Sequence, residues 1–74
     1  PNPADDRLHL NLTTPAQCEI HDLHGCPLAT PVRFDWAGPI TLDLSGLRSG
    51  PLLLVIRSLD GLDFVTLPFI HLTP

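Results

Sequence analysis

Apolar and polar residues take turns along most of this chain, and the period is two rather than 3.6. Leu8, Leu10 and Leu12 alternate with Arg7, His9, Asn11 and Thr13, which predicts a strand with one face buried and one in water, ended by Thr14-Pro15. Ala16, Cys18 and Ile20 alternate with Gln17, Glu19 and His21 to give a second strand of the same kind. It stops at Asp22-Leu23-His24-Gly25, where Gly25 supplies the positive φ that a tight turn needs. Ile40, Leu42 and Leu44 alternate with Thr41, Asp43 and Ser45 in a third. Leu52 to Ile56 is different, because it runs apolar without a break between the breakers Gly50-Pro51 and Asp60-Gly61. Five residues are too few for a helix, so the pattern predicts an interior strand that wants cover on both faces. Pro51 is tolerable as its first residue, where a missing N–H matters least.

Weaker patterns complete the chain. Cys26 to Phe34 is expected to return beside the second strand, but Pro27 and Pro31 remove two ladder donors, which places the segment at an edge or breaks it with a bulge. Leu47 stands alone between Ser45-Gly46 and Ser49-Gly50 and is expected to plug an open end of the core. Leu59-Asp60-Gly61-Leu62 reads as a hairpin turn, and Asp63 to Leu72 as the last strand, its ladder interrupted by Pro68. The expectation is six strands, or seven if Cys26 to Phe34 splits, with sequential antiparallel partners in two layers that cover Leu52 to Ile56 on both sides.

Composition narrows the class. Seventy-four residues make one domain, 1–74, with room for one core. Nine prolines and five glycines at short intervals fit an all-β sandwich with many turns. The net charge is −4, with no Lys and with Arg scattered at 7, 33, 48 and 57; no basic stripe follows phosphates, so nucleic acid is not an expected partner. No apolar run reaches the roughly 18 to 20 residues of a membrane span. The chain opens on Pro1-Asn2-Pro3 and has no Met, which fits a piece of a longer protein whose export signal would lie upstream.

Few side chains point to chemistry. Cys18, His21, His24 and Cys26 put four possible metal ligands in nine residues, but tetrahedral zinc sites usually draw ligand pairs from separated knuckles, and strand parity turns Cys18 inward and His21 outward. The simpler expectation is one buried Cys and two turn histidines. A Cys18–Cys26 disulfide is the other option; if His21 pairs Cys26, Cys18 falls opposite Ala29, too far along the ladder for an unstrained bridge. No nucleophile elbow, phosphate loop or metalloprotease motif is present, so neither catalysis nor a cofactor is expected. Trp36, the single Trp, either folds back over an open end of the sandwich or offers a flat face to a sugar or a protein. Asp22, Asp60 and Asp63 are as well explained by turns as by calcium. His9 and His71 are expected on solvent faces.

Taken together, Pro1-Asn2-Pro3, Leu8-His9-Leu10, Ile20-His21-Asp22-Leu23-His24-Gly25, Leu42-Asp43-Leu44-Ser45-Gly46-Leu47-Arg48-Ser49-Gly50 and a strand near the end resemble the C-terminal sorting domains, type A, of the type IX secretion system of Bacteroidetes-type bacteria. The five motifs span essentially the whole chain. The resemblance implies an immunoglobulin-like antiparallel β-sandwich at the end of a larger cargo protein. That protein would reach the periplasm and then the cell surface through outer-membrane secretion machinery, with a sortase-like peptidase removing the domain. By position, Pro1, Asn2 and Pro3 match the family's leading motif, Asp22 and Gly25 its turn, and Ser49 and Gly50 its Gly-containing motif. Leu52 stands where the family usually has an aromatic, and Thr66 to Leu72 lacks the family's Lys.

The expected function is therefore a non-catalytic secretion signal, captured through its last strand at Phe69, Ile70, His71 and Leu72 by strand addition. The rival is an accessory carbohydrate- or protein-binding sandwich of a secreted enzyme or adhesin, with Trp36 as the contact.

Overall fold

The computed structural model describes residues 6–72. Pro1, Asn2 and Pro3 lie outside them. Among the described residues there are six strands: β1 Arg7–Leu12, β2 Ala16–His21, β3 Val32–Phe34, β4 Gly38–Asp43, β5 Gly50–Ser58 and β6 Phe64–His71. They form two antiparallel sheets, one of order β1-β4 and one of order β3-β2-β5-β6. The protein is an all-β antiparallel sandwich, and the alternating positions meet in its middle. Leu12, Ala16, Cys18, Ile20, Phe34, Ile40, Leu42, Leu44, Leu52 and Leu54 form the buried cluster. Leu47 packs against that cluster from the β4–β5 connection, where Leu47 N donates to Leu44 O at 3.1 Å across a turn with Gly46 at φ 84°.

Sequential pairing does not hold throughout. β1 pairs with β4, and β2 pairs with β3 and β5, so the chain changes sheet between Leu12 and Ala16. Both strands carry an apolar face, and crossing lets those faces oppose each other through the core instead of lying side by side in one layer. The segment after β2 is broken as its prolines require. His21 bridges Pro27, whereas Cys18 pairs Val32 and not Ala29. The register sum rises from 48 to 50, and two residues are looped out before β3.

The expectation for Leu52 to Ile56 needs correction. Its inward residues, Leu52 and Leu54, are fully buried beneath the β1-β4 sheet. Among the described residues no layer covers the outward face, because the sandwich has two layers and this sheet is one of them. Leu53 is only half-buried, and Val55 is buried between its register neighbours Glu19 and Thr66.

Antiparallel ladders alternate hydrogen-bonded and non-bonded pairs, and the strand prolines all fall where no ladder bond is lost. Ser58 N donates to Asp63 O at 2.9 Å, so the pairs Ile56–Val65, Leu54–Leu67 and Leu52–Phe69 are bonded and Leu53–Pro68 is not. The bonds Asp22 N to Cys26 O and Leu28 N to Ile20 O, each 2.9 Å, fix the same parity from the β2 side. Pro27 and Pro39 occupy non-bonded pairs by the same count, the latter because Leu44 N donates to Asp6 O. Pro51 turns its nitrogen towards β2 beyond the last β2 residue that pairs with β5, His21. Pro68 therefore does not interrupt the β5–β6 ladder. Its missing N–H is on the outer edge of β6 instead.

Candidate recognition surface on the last strand

β6 has β5 as its only strand partner among the described residues, so a row of backbone N–H and C=O groups faces outward from it. The parity just derived assigns that row to Phe64, Thr66, Pro68 and Ile70. Both faces of the strand are largely apolar, and no Asp, Glu, Lys or Arg occurs from Phe64 to Leu72. Phe64 is 67 % exposed and Ile70 66 % on the outward face. Val65 and Leu67 point towards the β1-β4 sheet, yet each stays more than two-fifths exposed because a two-stranded layer does not reach the edge of a four-stranded one. Between the end of β1 and the start of β6 the sandwich opens into a groove of about 260 Å³ floored by Leu12, Ile56 and Val65, with Asp63 at its rim.

The tail residues singled out in the sequence divide by parity. Ile70 and Leu72 are exposed, but Phe69 packs on the core and His71 is only 2 % exposed. The solvent-face expectation for His71 is thus overturned. It shares a face with Leu67 and Phe69 and lies opposite Gly50 in the register. Its Nδ1 is 3.0 Å from the Arg48 carbonyl; a carbonyl only accepts, so Nδ1 carries the proton. Nε2, fully buried, has no hydrogen-bond partner among the described residues, and Asp6 Oδ1 lies 3.8 Å away. This ring ties the end of β6 to the β4–β5 connection and to the residue before β1. His9 is exposed, with Nδ1 3.0 Å from Thr41 Oγ1.

The remaining sequence candidates sit apart from β6 and act locally. Asp22 Oδ1 accepts from Cys26 N at 2.9 Å and His24 N at 2.8 Å, and these amide bonds, that of Cys26 foremost, hold its carboxyl below the ordinary range. Gly25, at φ 86°, donates to Asp22 O. Together they build the turn that follows β2. Ser49 is exposed, and Gly50 opens β5 at φ 125°. Trp36 stands edge-on to the buried Phe34, centroids 5.4 Å apart, and remains 54 % exposed. Cys18 is buried and Cys26 exposed, both as free thiols, and burial pushes the Cys18 thiol up. Among the described residues no three His, Cys, Asp or Glu side chains converge as a metal site, and no helix is long and apolar enough to cross a membrane.

Polar residues of β2 and β5 cluster on the outward sheet face beside the apolar Leu53 and Val55. Glu19, on β2, accepts from Arg57 Nε at 2.8 Å and Gln17 Nε2 at 3.1 Å and contacts His21 Nε2 at 2.9 Å. Burial alone would raise its carboxyl, but these bonds outweigh that and hold it low. The Arg57 guanidinium lies 5.4 Å from the Phe64 ring centre, which marks the boundary between this polar cluster and the apolar strip of β6. The sequence pointed to residues 69–72. The exposed half that it missed, Phe64 to Leu67, was signalled by its own lack of charge.

No protein family, curated protein or solved structure matches this chain.

Proposed function

We propose that this domain is a non-catalytic C-terminal signal that directs a larger cargo protein across the outer membrane by type IX secretion, with the outer-membrane machinery reading the last strand. The observation that supports this is the state of β6: an edge strand, largely apolar on both faces, with an open row of backbone groups. Such an edge suits capture by strand addition, in which main-chain bonds supply affinity and alternate side chains supply selectivity. The ordered motifs from Leu8-His9-Leu10 to Ser49-Gly50 supply the specific assignment. On this reading a sortase-like peptidase then separates the domain from its N-terminal cargo.

The test is to fuse residues 1–74 behind a periplasm-directed reporter in a host that has a type IX system. Reporter on the cell surface with the intact domain, and in the periplasm once Phe69 to Pro74 is deleted, is the expected result. Periplasmic retention of the intact fusion overturns the secretion reading, and export that ignores the deletion overturns a role for Phe69 to Leu72.

A second reading rests on Trp36, whose ring is braced by Phe34 yet more than half exposed. That geometry offers a flat contact for a sugar, as in an accessory module of a secreted enzyme. Glycan-array binding that is lost in Trp36→Ala would favour it over the signal.

A further inference from the structure

Pro68 divides the open edge of β6 into unequal halves. Phe64 and Thr66 present consecutive outward N–H and C=O pairs, which is the repeat an antiparallel partner needs for a closed set of ladder bonds. Beyond them Pro68 offers a carbonyl and no donor, and the strand then runs into the end tied down by His71 and Arg48. The first half also borders the groove. A strand added there would cover Val65 and Leu67 on its inward side, and the inward side chain one register step further would meet Asp63 at the groove rim. The carboxylate of Asp63 is exposed and unpaired among the described residues, its backbone alone bonding Ser58. Asp60 stands in the same turn, held ionised by bonds from the Ser58 hydroxyl and Leu62 N.

We propose that the capture site is Phe64 to Leu67, and that its occupant is an antiparallel strand of a partner protein, apolar at its inward positions and carrying a basic residue towards its C-terminal end, opposite Asp63. This deepens the last-strand reading and rests on it, but moves contact away from Phe69 to Leu72. Charge sets the direction. In the antiparallel sense the C-terminal end of the incoming strand lies at the Asp60–Asp63 turn, and the domain's net charge of −4 favours a cationic partner. A second copy of this chain carries the same acidic turn and is disfavoured there.

The probe is a capped peptide, acetyl-Thr-Val-Thr-Val-Thr-Lys-amide, compared with its Lys-first reversal, each titrated into the whole domain while backbone amide exchange is followed by NMR. Thr66→Pro removes one outward donor and no β5–β6 bond, so circular dichroism should show the fold retained; Asp63→Asn removes the charge alone. The expected result is slowed exchange at Phe64 and Thr66 with Ile70 unchanged, binding about two- to fivefold tighter for the Lys-last peptide, loss of that preference in Asp63→Asn, and loss of binding in Thr66→Pro. Equal protection at Ile70, preference for the Lys-first peptide, no protection at all, or protection that grows with domain concentration without peptide would overturn it. Peptide capture with no export of the fusion would instead sink the secretion reading and leave the site standing.

Discussion

Truncating Leu54 and Leu53 separately measures how many layers cover β5. Leu54 is 2 % exposed beneath the opposing sheet, so Leu54→Ala removes about three buried carbons at roughly 0.8 kcal/mol each and leaves a cavity that the two sheets cannot fully close. The total should be about 3 kcal/mol, within the usual span of buried Leu→Ala changes. Leu53, one residue earlier, faces outward and is half-buried; its truncation opens no enclosed cavity and should cost about 1 kcal/mol. Against a total stability of about 4–11 kcal/mol for a chain of this length, the first change is severe and the second mild. Urea unfolding followed by circular dichroism reads both. With a slope near 1 kcal/mol per molar, the midpoint should fall by about 3 M for Leu54→Ala and about 1 M for Leu53→Ala. Equal losses would show that the outward face is covered too, and the two-layer argument would be wrong.

Other expectations follow from particular contacts. Glu19, Asp22, Asp43 and Asp60 all have lowered carboxyl pKa values in the fold, so the stability they contribute is complete above the ordinary carboxylate range and is lost as the pH falls through it and below. Acid unfolding monitored with Glu19→Gln should be shallower than with the native chain, and an unchanged slope would contradict the Glu19 cluster. Cys26 should react with a thiol reagent in the native state and Cys18 only in urea, giving one fast and one protected thiol; two unreactive thiols in urea without reductant would indicate a disulfide. Gly50→Ala should cost about 1–3 kcal/mol through backbone strain alone, because a methyl there meets nothing within 4 Å and only φ 125° opposes it. A neutral Gly50→Ala in a urea titration would refute that φ.

How far the chain explained itself depends on the kind of information each feature carries. Strand positions were legible because a half-buried strand must alternate, and Leu8-His9-Leu10 or Ala16-Gln17-Cys18 has no other economical use. Partner order was not legible, since alternation says which side of a strand is buried and nothing about which strand lies beside it; the exchange of β2 for β4 as the partner of β1 is invisible in period-two patterning. The place of His71 was not legible, since alternation with the apolar Ile70 and Leu72 suggests a solvent face whereas its parity with Phe69 buries it. Leu67 and Phe69 set the inward face, and His71 follows them in step. The recognition surface was half legible. The lack of charge on β6 could be seen, whereas the outward aim of the Pro68 nitrogen needs the register with Leu53.

The central claim is that β6 is an edge strand whose odd residues bond β5 and whose even residues face out. Amide exchange of the isolated domain in dilute solution tests it residue by residue. Val65, Leu67, Phe69 and His71 should exchange slowly while Phe64, Thr66 and Ile70 exchange near the open-chain rate; uniform protection from Phe64 to His71, or the opposite alternation, would contradict it.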